Sequence, residues 1–243
     1  MKTQKQILIF LLVTALFGSF SFAEVSQQGF SDESELGVIL TGGNTRTQSL
    51  NAKQQNLYGF EKNLLKFNGR YLRSTNQGVE NGRNWSLGLR YERELAEMLA
   101  IFLGQNIESD VFAGIQQRYN TDLGAKYSVF KTENFKWFFE GGYRYTIENK
   151  TDMTQKKSNY GRLYTEAEKA FNKEVSTKLW LEYLPNFTTS SDYQINTELS
   201  FLAQLNAVLS MKLGYMIRFD NVLNAGVQYK TDSIFTTALV AKF

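Results

Sequence analysis

The sequence predicts an all-β protein, a transmembrane antiparallel up-and-down β-barrel of about 12 strands. Apolar and polar residues alternate along most of the chain with a period of two, whereas an amphipathic helix spaces its apolar residues by three and four. The links between alternating segments are short at one end and mostly long at the other. The last ten residues form one more alternating segment, which ends on Phe243 and needs a partner for its edge.

The first residues have the pattern of a secretory signal peptide. A basic start precedes an apolar run from Ile7 to Phe17, and Ser21 and Ala23 supply the small residues of a cleavage site. We therefore expect cleavage after residue 23, a periplasmic segment over residues 24–33 and an outer-membrane barrel over residues 34–243. No Cys is available for disulfides, and no later apolar stretch approaches the ~20 residues of a membrane helix.

Runs between turn-forming residues give twelve predicted strands. The alternation is cleanest in the second half, for example from Tyr193 to Leu205. The first two strands are the least regular, because Gln48, Gln54 and Asn56 fall on a face that is otherwise apolar. The predicted strands are 34–41, 46–60, 64–74, 84–94, 98–108, 115–130, 134–147, 159–170, 174–187, 193–205, 208–219 and 234–243.

The links between these strands indicate which end is which. All short links, such as residues 61–63, fall at one end, and the long polar links 75–83, 148–158 and 220–233 fall at the other. Tight periplasmic turns with longer external loops are typical of outer-membrane barrels, and an even strand count places both termini in the periplasm. Residues 42–45 (GGNT) are predicted to form a tight hairpin turn that needs positive φ.

Aromatic residues and the last strand fit the same architecture. The pairing of strand 234–243 with strand 34–41 is predicted by the matching apolar face of Leu36, Val38 and Leu40. Aromatic residues near strand ends suit girdles at the two lipid–water interfaces better than pairs inside a sandwich core. These aromatic residues are Tyr58, Phe60, Tyr91, Tyr127, Phe135, Trp137, Tyr145, Phe171, Tyr183 and Phe187.

Charged residues of the predicted strands fall on the face opposite the apolar one. An Arg or Lys facing lipid costs roughly 2–4 kcal/mol at the bilayer midplane, so these charges should face the lumen. Both signs are interspersed, so the charges either pair across the interior and close it or line a narrow watery passage. The residues are Lys66, Arg70, Arg90, Glu92, Arg118, Asp122, Lys126, Glu140, Arg144, Arg162, Glu166, Glu168, Lys178, Glu182, Glu198, Lys212 and Arg218.

The composition argues against an enzyme. The chain has no His and no Cys, which excludes a Ser-His triad, a Cys-His pair and an ordinary zinc site. Inward carboxylates such as Glu166 and Glu182 have Arg and Lys beside them. Neighbouring cations favour the ionised carboxylate, whereas a general acid must hold a proton. Glu108, Asp110 and Arg118 near one loop favour an ion pair over a divalent-cation site. We expect no catalytic residue, no cofactor and no metal.

Three stretches resemble the bacterial family of salt-induced outer-membrane proteins, domain of unknown function 481. They are residues 34–52 (SELGVILTGGNTRTQSLNA), residues 89–95 (LRYEREL) with 108–118 (ESDVFAGIQQR), and residues 229–243 (YKTDSIFTTALVAKF). The resemblance implies an outer-membrane β-barrel and brings no functional residues. The terminal Phe243 also resembles the C-terminal signal that the barrel-assembly machinery reads in outer-membrane proteins, although Ala241 is smaller than the usual residue.

These observations predict an outer-membrane barrel with a structural or narrow passive pore role, and the family label adds a role in salt or osmotic stress. The alternative is a surface-binding barrel whose loops 148–158 and 220–233 recognise a ligand or partner. Lys150, Lys156 and Lys157 would suit lipopolysaccharide phosphates. The expected surroundings are outer-membrane lipid and lipopolysaccharide. Nucleic acid is not expected, because the chain is close to neutral once the two lysines of the signal peptide are removed.

Overall fold

The computed structural model describes residues 29–41 and 46–242, which form a closed antiparallel barrel. Each strand pairs with its neighbours in sequence, and β12 returns to β1, so the predicted fold class is confirmed. Within these residues, no helix has the length and apolar character to cross a membrane. The strands are β1 Gly29–Leu40, β2 Thr47–Phe60, β3 Asn63–Asn76, β4 Val79–Ala96, β5 Leu99–Asp110, β6 Ile115–Lys131, β7 Phe135–Lys150, β8 Gln155–Ala170, β9 Val175–Pro185, β10 Tyr193–Gln204, β11 Leu209–Asp220 and β12 Thr231–Lys242.

The barrel closes where the sequence predicts, through a short ladder between β1 and β12. Glu33 to Leu36 of β1 pair with Lys242 to Leu239 of β12. On its other side β1 pairs with β2 along its whole length. β1 begins at Gly29, five residues before the predicted start at Ser34, because residues 29–33 also find partners on β2. The signal peptide, the predicted turn at residues 42–45 and Phe243 lie outside the described residues.

The connections confirm short turns at one end and correct two predicted loops at the other. We call the end with connections 61–62, 97–98, 132–134, 171–174 and 205–208 the turn end, and the opposite end the loop end.

Two of the loop-end connections are shorter than predicted. The predicted long link 75–83 is a hairpin that turns at Gln77 and Gly78, whose φ values of 52° and 81° suit a two-residue turn. The predicted link 148–158 turns within residues 151–154. In both cases polar residues typical of loops extend the ladder instead, supported by contacts such as the Arg73–Glu80 ion pair of 2.8 Å.

The two faces of the wall have opposite character. Large apolar side chains are exposed on the outside, including Leu103, Leu123, Leu163, Phe201 and Phe235. Polar and charged side chains outnumber apolar ones among the buried residues, which is the reverse of a water-soluble protein. Any functional site of this barrel is therefore to be sought among the charged groups of its interior.

Candidate functional site

A network of nine charged residues crosses the interior from the turn end to mid-height. Arg90 of β4 makes a bidentate pair with Glu140 of β7, with N–O distances of 2.9 and 2.6 Å. These strands are three positions apart in the barrel, so the pair crosses the lumen. Arg162 of β8 joins the same carboxylate at 2.6 Å and also contacts Glu182 of β9 at 2.7 Å.

The other ion pairs of this central network lie on either side of Arg90 and Glu140 along the barrel axis. Glu92 accepts from Lys66 at 2.7 Å and lies 3.4 Å from Lys126. Arg144 makes a bidentate pair with Asp122, at 2.7 and 2.8 Å. Every member lies within salt-bridge distance of an opposite charge, so burying these charges leaves none of them uncompensated. The members are Lys66, Arg90, Glu92, Asp122, Lys126, Glu140, Arg144, Arg162 and Glu182.

One aromatic side chain also lies inside the lumen at this height. Phe102 of β5 is 2% exposed, and the guanidinium of Arg90 lies 3.7 Å from the centroid of its ring. The ring tip lies over Gly124 on the neighbouring strand, where an added Cβ would come within 2.6 Å of it. A cation over an aromatic face is attracted by the ring, so Phe102 and Arg90 hold each other inside the lumen.

A second cluster fills the opposite side of the interior. Lys212 of β11 contacts Glu35 of β1 and Glu198 of β10, each at 2.9 Å. Lys53 of β2 lies 3.5 Å from Glu35 and 3.6 Å from Glu198, so two lysines share two carboxylates. Asn51 donates a further hydrogen bond to Glu35 at 3.2 Å.

Ion pairs also span the loop end. Arg118 contacts Glu108 at 3.0 Å and donates to Glu148 at 2.7 Å, so the ion pair predicted for this region is present. Arg218 of β11 contacts Asp110 of β5 at 2.9 Å. These two strands are six positions apart in a ring of twelve, directly opposite each other. A register irregularity between Glu108 and Asp110 marks the point where Asp110 leaves the regular ladder.

The longest loop folds over this end of the barrel. Asn224, in the connection of residues 221–230, donates to the carbonyl oxygen of Ala113 at 3.2 Å and to Glu148 at 3.1 Å. Both partners lie on the far side of the barrel from β11 and β12. This connection therefore covers part of the opening and does not extend freely into solvent.

The two larger of the cavities found inside the described barrel lie on opposite sides of the central network. The loop-end cavity has a volume of about 240 Å³, and Arg70, Trp85, Trp180 and Arg218 are among its lining residues. The turn-end cavity has a volume of about 210 Å³, and Ser31, Glu92 and Lys126 are among its lining residues. The two cavities share no lining residue. Arg144 and Glu182 of the central network also line the loop-end cavity.

The predicted lumen-facing charges fall into these groups. Arg90, Asp122, Glu140, Arg144, Arg162 and Glu182 belong to the central network, Glu198 and Lys212 to the second cluster, and Arg118 and Arg218 to the loop-end pairs. Glu166 and Lys178 contact each other at 3.4 Å. Arg70 reaches no carboxylate within ion-pair distance among the described residues, and it donates instead to Asn84 at 3.0 Å.

Sequence reasoning missed Glu35, Lys53, Phe102 and Glu148. The apolar Leu36 and Val38 on one face of β1 place Glu35 on the other face, and this pattern could have revealed it. In the same way, the outward-facing Ile101 and Leu103 place Phe102 on the inner face of β5. Among the described residues, no three carboxylates or other metal-ligating side chains come together to hold a metal ion.

Comparisons with known proteins agree with this architecture. A family model described as "Protein of unknown function, DUF481" matches residues 34–243. An outer-membrane channel from Pseudomonas putida F1 is 10% identical over 93% of this chain and 100% of that one, with a TM-score of 0.55. The NanC porin is 8% identical over 88% of this chain and 98% of that one, with a TM-score of 0.48. No curated protein matches the chain. At these identities the likeness to solved structures is one of fold.

Proposed function

The chain belongs to the DUF481 family of proteins of unknown function, and we propose that it is an outer-membrane barrel of restricted permeability. In this proposal it spans the outer membrane of a Gram-negative-type envelope, with the turn end and both termini on the periplasmic side. The closed resting lumen gives it a structural or narrow passive pore role. No reaction is proposed, since the chain lacks His and Cys.

The outer surface supports a lipid environment. An exposed apolar surface of this extent around a whole barrel would be an aggregation hazard in water, whereas hydrocarbon solvates it. Aromatic residues gather at the turn end, where Phe130 lies 5.3 Å from Phe135 and 6.1 Å from Trp137 between ring centroids. At the loop end, Tyr193 lies between Tyr183 and Phe219. Such belts are typical of the two interfaces of a membrane barrel.

The observation that carries the proposal is the division of the lumen. The central network and Phe102 lie between two cavities that share no lining residue. Moving these charged groups aside requires separating ion pairs away from bulk water, which is costly. The resting barrel should therefore pass only the smallest ions and solutes.

Planar-bilayer recording of the purified barrel tests this proposal. We expect wild-type protein to show little steady current and Phe102→Ala to raise the single-channel conductance several-fold. Phe201→Ala is the matched control, because that ring faces outward on β10 and is 48% exposed. Circular dichroism establishes that each barrel is folded. Phe102→Leu provides a milder truncation if the alanine variant does not fold.

Two results would overturn the proposal. One is a large, steady wild-type current, which requires an open lumen. The other is a folded Phe102→Ala barrel with the conductance of wild type, which would mean that the ring does not block the passage.

The alternative, surface recognition by external loops, has less support. The predicted 148–158 loop is mostly strand, and the 221–230 connection is tied across the opening through Asn224. A role in salt or osmotic stress follows from the family label as a separate proposal. Growth of a deletion strain across external salt concentrations tests it, and restored growth with Phe102→Ala would separate that role from closure of the lumen.

A further inference from the structure

Arg70 differs from every other interior arginine of the described barrel. Arg90, Arg118, Arg144, Arg162 and Arg218 each contact at least one carboxylate.

The contacts of Arg70 itself are all neutral. Its guanidinium donates to the side-chain oxygen of Asn84 at 3.0 Å and contacts the sulfur of Met216 at 3.6 Å. Neither atom carries a charge, so no carboxylate of the described residues pairs directly with Arg70. An arginine in such a position retains N–H donors for a ligand.

The loop-end cavity offers the space that such a ligand would occupy. Its volume is about 240 Å³, and Arg70 is one of its lining residues. A water molecule occupies about 30 Å³ in the liquid, so the cavity has room for several waters or one small organic molecule. Drug-sized ligands need about 300 Å³ or more, which sets an upper limit on the occupant.

The other charges of the cavity are already paired. Glu108 contacts Arg118, Asp110 contacts Arg218, and Glu182 contacts Arg144 and Arg162. Arg70 is therefore the cation of the lining whose charge a ligand would balance.

Neutral groups of the wall suit an organic ligand. The amides of Asn84, Asn106, Asn120 and Asn196 can donate to or accept from hydroxyl groups, and the inward-facing Trp180 supplies a flat apolar surface. These groups surround the cavity that Arg70 lines.

We propose that the loop-end cavity binds a small hydroxylated organic acid whose carboxylate pairs with Arg70. The planar guanidinium matches a carboxylate with two parallel hydrogen bonds, and the amides and the Trp180 ring contact the rest of the molecule. This inference deepens the proposed function, because the acid must enter the lumen from the loop end. It requires no passage through the central network, so binding is measurable in a barrel that does not conduct.

Titration of the full barrel in detergent micelles tests the site by calorimetry and tryptophan fluorescence. Trp180, which lies on the inner face of β9 between Lys178 and Glu182, lines the cavity and should report occupancy. Glucuronate is the probe, glucose is the neutral molecule of the same ring, and inorganic phosphate is the anion without an organic part. We expect saturable binding of glucuronate. Glucose should bind at least about tenfold more weakly, because it lacks the carboxylate and a hydrogen bond to a charged group is worth about 1.5–3 kcal/mol. Phosphate should also bind more weakly, because it has no organic part to contact the amides and Trp180.

Variants assign the binding to Arg70. Arg70→Met should weaken glucuronate binding about tenfold or more. Arg73→Met removes the same charge from the same strand at an exposed position, and should leave binding unchanged. Arg70→Lys keeps the charge without the planar fork, and should weaken binding several-fold; it also serves if Arg70→Met does not fold by circular dichroism.

Several outcomes would overturn this inference. They are no glucuronate binding, equal binding of glucose, tighter binding of phosphate, or unchanged binding by a folded Arg70→Met barrel. Each leaves the conductance test untouched, since that test depends on Phe102. Conversely, a conducting wild type with normal glucuronate binding would remove the proposed closure and keep the site.

Discussion

The two halves of the interior use buried charge in different ways. In the turn-end half, Glu140 is 5% exposed and receives hydrogen bonds from two arginines on opposite flanks. In the loop-end half, Arg70 lines a cavity and, within the part of the chain that the structure describes, donates to an amide oxygen and a sulfur in place of a carboxylate. Compensated charges fill space and hold strands together, whereas an uncompensated charge beside empty space is available to a ligand. In our proposals, the same residue type serves closure in one half and recognition in the other.

Removing a carboxylate that compensates two arginines should give the largest loss of stability. Glu140→Gln removes the anion that Arg90 and Arg162 share, although Arg90 keeps Glu92 and Arg162 keeps Glu182 as partners. We expect the free energy of unfolding to fall by about 3 kcal/mol, because three short hydrogen bonds from two interior arginines to the carboxylate are lost. Urea titration in micelles, followed by tryptophan fluorescence, measures it. Glu80→Gln on the exposed β3–β4 hairpin is the control and should change little. A loss as small as the control's would mean that the network does not hold the barrel.

The second cluster should show a smaller loss because it contains a spare cation. Lys212→Met removes contacts to Glu35 and Glu198, but Lys53 remains 3.5–3.6 Å from both carboxylates. We expect a loss of about 2 kcal/mol in the same urea titration. Lys131→Met removes an exposed lysine that pairs with Glu94, and should cost less. A loss equal to that of Glu140→Gln would show that Lys53 does not compensate.

Arg70→Met should change stability in the opposite direction. The substitution removes an unpaired charge and places an apolar side chain beside Met216. We expect a gain of about 1 kcal/mol in the free energy of unfolding without ligand, because the substitution removes a desolvated charge. Thermal unfolding by circular dichroism checks the sign. A clear loss of stability would mean that Arg70 is a structural residue and would erase the contrast between the halves.

Raising the salt concentration should have the smallest effect on the stability of the wild-type barrel. Raising NaCl from ~0.1 M to ~1 M shortens the screening length from about 10 Å to 3 Å, but buried pairs are screened much less than exposed ones. We expect the unfolding midpoint of wild type to move little, while glucuronate binding weakens as chloride competes for Arg70. A large drop in wild-type stability would indicate that water reaches the central network.

Much of the fold was predictable from the sequence, because period-two alternation determines which face each side chain occupies. This is why the strands from Tyr193 to Asp220 agree with prediction. Partners across the lumen were not predictable. Alternation does not tell the height of a residue in the barrel or which strand lies opposite, since both depend on the stagger of all twelve strands.

Arg70 and the β3–β4 hairpin are two features that the alternation of polar and apolar residues does not predict. In sequence, Arg70 is one inward arginine among several, and only the arrangement of the neighbouring strands leaves it without a carboxylate. The polar residues from Thr75 to Arg83 are those of a loop, yet they form a ladder. The local sequence does not distinguish a loop from a hairpin at these residues, because a hairpin outside the lipid needs no apolar face.

The Arg218–Asp110 pair also implies that the opening is not circular. Twelve strands spaced about 4.8 Å apart and tilted by about 40° would give a round cylinder roughly 20 Å or more across. An arginine and an aspartate on opposite strands cannot span that width with a 2.9 Å contact. The passage between β5 and β11 is therefore narrowed to a slit at this level. A slit of this kind sorts molecules by thickness, so a planar ring could enter edge-on where a branched molecule of equal mass could not.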